Sequence, residues 1–144
     1  MSTSPIESTV VSNLKEVEKS TSCERRRILV VDDDPVVRRI LLELLNKNYM
    51  VILASTGVQL PDLIHKHSPD LVILDVMLPW VNGFELCRMI KSHPEGEKLP
   101  VLFLTGCKEK EDLLTGKEVG ALGYLTKPFY AKNLYREVER LLAA

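Results

Sequence analysis

No run in this chain approaches the roughly 18 consecutive apolar residues that cross a bilayer as a helix. The opening MSTSPIESTVVSNLKEVEK also lacks the basic stretch and apolar core of a secretory signal. These absences point away from membrane and export, to a cytoplasmic protein. Cysteine is scarce: Cys23, Cys87 and Cys107 are odd in number, with no CxxC and no Cys/His ligand spacing, which argues against a disulfide scaffold and suits a reducing compartment. His65 and His67 form an HxH with no further Cys or His beside it, so they read as a solvated helix end rather than a metal site. Neither charge sign dominates, with 19 basic against 20 acidic residues and a net charge of −1. Arg25, Arg26 and Arg27 are too short a run to make a phosphate-neutralising face.

What is present is the amount of chain that makes one ordinary domain. Residues 1–27 stand apart, rich in Ser, Thr, Glu and Lys, and are expected to be a leader that is either disordered or a short amphipathic helix. The helical alternative rests on Ser4-Pro5-Ile6-Glu7, a helix-start signal, followed by Ile6, Val10, Leu14 and Val17 on one face. From residue 28 to 144 the pattern becomes regular. Short β-rich apolar runs occur at 28–31, 50–54, 71–74, 101–104 and 123–125. Helical periodicity is clear over Pro35–Lys47, Gly83–Ser92 and Ala131–Leu142, and weaker near 58–67 and 109–119. Strands apolar on both faces that alternate with helices indicate a parallel sheet covered on each side. The expected fold is α/β, a doubly wound five-stranded parallel sheet of flavodoxin-like order 2-1-3-4-5 with helices on both faces.

The polar residues that interrupt this pattern all fall at carboxyl ends of strands. Asp32 and Asp33 close the first, Asp75 the third, Thr105 the fourth and Lys127 the fifth. Ligands of open parallel sheets bind beyond those ends, at the switch point between strands one and three. Three carboxylates meeting there repel one another unless protonated or joined by a cation, and an all-oxygen set suits Mg²⁺. Thr105 adds a hydroxyl and Lys127 a mobile positive charge, which together could grip an anion. The set suggests phosphoryl chemistry with Asp75 as nucleophile. Singly, each residue has a plainer reading: Asp33 or Asp34 could cap the helix starting at Pro35, and Lys127 could be a turn residue before Pro128.

ILVVDDDP, LVILDVMLPWVNGFE, VLFLTG and GYLTKPF resemble, in order and spacing, the signature segments of two-component response-regulator receiver domains. The resemblance covers about residues 26–144. It implies that Asp75 is the phosphoacceptor, and that Asp33, Asp75 and the backbone carbonyl of Met77 hold Mg²⁺ directly, with Asp32 acting largely through water. It further implies that Lys127 pairs with the phosphoryl group, that Lys127-Pro128 is cis, and that Thr105 and Tyr124 are the switch residues. The donor would be a histidine kinase or histidine phosphotransfer protein. The output would be a protein partner on the face of the fourth helix, fifth strand and fifth helix. The chain would catalyse its own phosphorylation and dephosphorylation without being a conventional enzyme.

Some features depart from that family pattern. Gly123 stands before Tyr124 where winged-helix regulators often carry an acid, and NLYREVERLL differs from their usual arginine pattern, which argues against winged-helix pairing. With no basic helix-turn-helix pattern, no direct nucleic-acid binding by this chain is expected. Pro61 falls where the second helix usually continues, so that helix should start late. Met77 and Cys107, two residues after Asp75 and Thr105, flank the path of a hydrolytic water in the family; their weak hydrogen-bonding side chains suggest a long-lived phosphoryl group. Two rival readings remain. DDDPV matches the DxDxV nucleophile motif of haloacid-dehalogenase-type phosphatases, although Pro35 leaves no room for a flap and Asp75 would go unexplained. A receiver-like module that binds partners without phosphorylation usually lacks the aspartate or the lysine, and both are here.

Overall fold

The computed structural model describes residues 25–79, 81–106, 120 and 122–143. In chain order the elements are β1 (Arg27–Val31), α1 (Pro35–Leu45), β2 (Met50–Ala54), a 3-10 turn (Gly57–Gln59), α2 (Leu60–His67), β3 (Leu71–Leu74), β4 (Met77–Leu78), β5 (Val81–Asn82), α3 (Gly83–Ser92), β6 (Val101–Thr105), β7 (Gly123–Thr126) and α4 (Ala131–Ala143). Five strands form one parallel sheet in the order β2-β1-β3-β6-β7, which is 2-1-3-4-5 when only its own strands are counted. The expected helix near 109–119 and residues 1–24 of the expected 1–27 leader lie outside the described residues, while Arg27, the last residue of that leader, opens β1.

Alternation along the strands divides the core between the two faces of the sheet. Ile28, Val30, Ile73 and Leu104 pack with Leu41 and Leu45 of α1 and with Leu134, Val138 and Leu141 of α4. Leu29, Val31, Val72 and Phe103 point the other way, against Leu60 and Ile64 of α2 and Phe84, Cys87 and Ile90 of α3. The central strands β3 and β6 are buried at every residue, whereas the edge strands β2 and β7 are only partly covered, as their position requires. Burial pushes the Cys87 thiol up to about 11, despite the opposing charges of Lys91 and Arg88.

Local signals set the helix ends. The Asp34 carboxylate accepts a hydrogen bond from the Val36 N–H and Pro35 opens α1, so the capping role open to Asp33 or Asp34 falls to Asp34. Asn82 caps α3 in the same way through the Phe84 N–H, 2.6 Å away. Pro61 sits in the first turn of α2 after the 3-10 turn, which is the late start its position suggests. Ser68 ends α2 in the left-handed region at φ 48°. The periodic stretch from Pro35 stops at Leu45, short of Lys47, because residues 46–48 form a turn leading into β2. Two-residue strands β4 and β5 pair antiparallel after β3, Met77 with Asn82 and Leu78 with Val81.

Candidate functional site

Each site residue is set by the end of a strand. The register pairs Val31 with Leu74 across β1 and β3, and the Asp75 N–H continues that ladder to the Val31 carbonyl at 3.0 Å. Asp32 is tied to the other neighbour, its N–H donating to the Ala54 carbonyl of β2 at 3.2 Å. The two aspartates thus leave adjacent central strands side by side. On the far side, the Lys127 N–H donates to the Thr105 carbonyl at 2.8 Å, which brings the end of β7 beside that of β6. The Lys127-Pro128 peptide is cis, as the resemblance implies.

One oxygen from each of Asp32, Asp33 and Asp75 can be chosen so that all lie within 4.8 Å of one another. Asp32 and Asp75 are buried and Asp33 is exposed, so the cluster has two walls and one open side. Lys127 reaches into it: its Nζ donates to Asp32 Oδ2 at 3.0 Å and to Asp75 Oδ2 at 3.1 Å. The other oxygens are held by backbone, Asp75 Oδ1 by the Met77 N–H at 3.0 Å and Asp32 Oδ1 by the Asp34 N–H at 2.9 Å. Thr105 is fully buried at the end of β6.

Electrostatics favour a cation here. Burial raises the affinity of Asp32 for a proton; hydrogen bonds from the Asp34 N–H and Lys127 oppose this, and the Asp75 charge reinforces it. Burial pulls Lys127 down, but its hydrogen bonds to Asp32 and Asp75 outweigh that and hold it above its ordinary value, so it stays charged. One ammonium facing three carboxylates leaves the pocket short of positive charge. The donor set is all oxygen and Asp33 is exposed beside a solvent-open cavity that Met77, Pro79 and Asn82 also line, which fits Mg²⁺ and its retained waters.

The loop after β3 is shaped by a close approach. A Cβ on Gly83 would lie 2.4 Å from the Asp75 carbonyl oxygen and 2.6 Å from Val76 Cα, so only glycine fits at the start of α3. Met77 is 66% exposed. Tyr124 is half-buried, its ring edge-on to Phe103 at 6.2 Å, and Phe103 meets Phe84 of α3 edge-on at 5.0 Å. Cys107 lies outside the described residues. His65 is exposed on α2 and its Nδ1 lies 3.1 Å from Glu95 Oε2. A contact the sequence pattern does not suggest comes from α1, where Arg38 Nη1 donates to the Asp32 carbonyl at 2.7 Å.

The model of the response regulator receiver domain family matches residues 28–139. The chain belongs to that family. Over 117 residues it is 44% identical to the response regulator MprA of Mycobacterium sp. (strain KMS), a match that covers 81% of this chain and 50% of that protein. The chain therefore spans about half the length of the curated relatives it matches. Among solved structures it resembles the chemotaxis protein CheY4 of Vibrio cholerae, with a TM-score of 0.78, 30% identity and coverage of 81% of this chain and 98% of that one. It also resembles the non-phosphorylated HemR receiver domain of Leptospira biflexa, with a TM-score of 0.76, 36% identity and coverage of 83% and 96%. The receiver domain is the phosphorylation-dependent switch of two-component signalling, and its fold is the one described above. Among the described residues no helix is long and apolar enough to cross a membrane.

Proposed function

We propose that this receiver domain takes a phosphoryl group from a phosphohistidine donor onto the Asp75 carboxylate in a Mg²⁺-assisted transfer. The observation that carries the reading is the convergence of Asp32, Asp33 and Asp75 within 4.8 Å, with Lys127 bridging Asp32 and Asp75. Asp33, Asp75 and the Met77 carbonyl would hold Mg²⁺ directly, and Asp32 largely through water. Bound there, the ion supplies charge neutralisation for the phosphoryl oxygens.

The residues of the chain do the remaining work. Met77 N–H and Lys127 orient the Asp75 carboxylate, leaving lone pairs on both oxygens. An Asp75 oxygen attacks phosphorus, the bond from phosphorus to the donor imidazole nitrogen breaks, and that nitrogen keeps the electron pair and takes a proton. Lys127 then follows the new charge, exchanging a carboxylate for a phosphoryl oxygen. Thr105, at the adjoining strand end, offers its hydroxyl to another. Tyr124, next to Phe103, is the group that reports this shift at the surface, toward a protein partner on the face that includes β7 and α4. The donor is a histidine kinase or phosphotransfer protein, met in the cytoplasm. The chain speeds only its own modification and its loss. The leader expected over residues 1–27 would lie outside the switch except for Arg27, which opens β1, and no direct reading of DNA by this chain is expected.

The test is phosphorylation by acetyl phosphate with Mg²⁺, followed by intact mass. The wild-type protein gains one phosphoryl group, and Asp75→Asn or chelation of the metal abolishes the gain. Labelling of Asp75→Asn at the wild-type rate would remove the assignment. Turnover of a phosphomonoester, lost on Asp32→Asn, would instead favour the phosphatase reading. The capping role of Asp34 argues against that reading, since its carboxylate is engaged with the Val36 N–H.

A further inference from the structure

We propose that Arg38 is a positioning residue for the metal pocket: by gripping the Asp32 carbonyl it holds the Asp32-Asp33 turn in the shape that accepts Mg²⁺. The inference rests on the metal-assisted reading above. It starts from Asp33. Among the described residues no side-chain hydrogen bond orients the Asp33 carboxylate, although it forms the open side of the cluster. Its position is therefore set by the backbone on either side.

That backbone is held at two points. The Asp34 N–H donates to Asp32 Oδ1 at 2.9 Å, and Arg38 Nη1 donates to the Asp32 carbonyl at 2.7 Å. The carbonyl lies one residue beyond the last ladder pair of β1, where no strand partner follows. The reach of Arg38 follows from helix geometry, because side chains lean toward the helix N-terminus and over the preceding turn. Its own N–H donates to the Asp34 carbonyl at 3.0 Å, so the guanidinium and the cap share one turn of α1. The next residue shows that this is not the default for an arginine here. Arg39 turns to solvent and pairs with Glu43 at 3.0 Å, both largely exposed.

Charge and position make opposite demands. If Arg38 mattered only as a nearby cation, removing it would tighten Mg²⁺ binding, because a positive charge would leave the edge of an acidic pocket. If it holds the turn, removing it weakens binding. Partners that orient metal ligands typically contribute 10- to 100-fold in affinity, so a loss of about tenfold is expected.

The experiment is calorimetric titration of Mg²⁺ into the wild-type chain and into Arg38→Ala, Arg38→Met, Arg38→Lys and Arg39→Ala, at one ionic strength and below every melting temperature. Arg38→Ala binds about tenfold more weakly, Arg38→Lys, which keeps a donor, recovers most of the loss, and Arg39→Ala stays within about twofold of wild type. Should Arg38→Ala not fold, Arg38→Met keeps the apolar stem and carries the same expectation. Unchanged or tighter binding by a folded Arg38 variant lacking donors overturns the proposal. A wild-type chain that does not bind Mg²⁺ overturns the metal-assisted reading instead, so the two failures are distinct.

Discussion

Met77 has two separate jobs, one for its backbone and one for its side chain. Its N–H holds Asp75 Oδ1, a role that any residue but proline could fill. Met77 is exposed and lines a solvent-open cavity with Asp33 and Pro79. Hydrolysis of an aspartyl phosphate needs a water held opposite the Asp75 oxygen, and a thioether is a weak acceptor that orients water poorly. Cys107, two residues after Thr105, offers only a weak donor. Positioned groups that assist proton transfer contribute ~10²-fold or more, and one that only orients water should give about tenfold. Phosphorylated protein should therefore lose its label slowly. The first-order decay of Met77→Asn with Cys107→Glu should be about tenfold faster than that of wild type. Equal or slower decay in a folded double mutant would remove the idea.

At the scale of elements, the critical joint is where α3 meets the end of β3. Gly83→Ala would put a methyl carbon 2.4 Å from the Asp75 carbonyl oxygen, against backbone that has little room to yield. Overpacking of that kind costs roughly 1–3 kcal/mol, and the strain here would move Asp75, the proposed phosphoacceptor. Gly106 is the matched control, because a Cβ there meets nothing within 4 Å. Denaturant melts should show Gly83→Ala destabilised by about that amount and slower to label with acetyl phosphate. Gly106→Ala should match wild type in both, and equal behaviour of the two variants would show that the close approach is not limiting. The same joint shows where a sequence can be read and where it cannot. The strands of the sheet were legible because runs such as LVIL and VLFL are apolar on both faces, and their ends located Asp32, Asp75, Thr105 and Lys127. The β4–β5 hairpin was not, since two-residue strands carry no periodicity. Nor was the grip of Arg38 on Asp32, because residue spacing places a side chain on a helix face without saying which backbone carbonyl it finds. That Asp34, and not Asp33, caps α1 likewise needed the geometry, since both precede Pro35 closely enough to serve.

For the whole molecule, the site works against the stability of its own fold. The two apolar layers that sandwich the sheet supply the favourable burial. At its carboxyl edge the same fold forces three carboxylates within 4.8 Å, with Lys127 bonded to two of them. Like charges held that close are a cost the unfolded chain escapes, and active sites commonly carry such costs. On the metal-assisted reading Mg²⁺ binds the folded arrangement only, so it should stabilise by mass action, by about 1.4 kcal/mol at tenfold excess over its dissociation constant. For a domain of this size that is a rise of about 5 °C in melting temperature. Asp33→Asn removes the exposed member of the cluster while leaving both Lys127 contacts in place. It should melt higher than wild type in EDTA, by roughly 0.5–1 kcal/mol, as expected for relief of a partly solvated repulsion. Adding Mg²⁺ should then raise wild type past it, because the variant lacks one of the proposed ligands. Thermal melts of both proteins with EDTA and with Mg²⁺ supply the four values needed. A variant that melts below wild type in EDTA would show that Asp33 stabilises the turn more than it repels its neighbours. A full Mg²⁺ increment in the variant would show that the ion is held without Asp33.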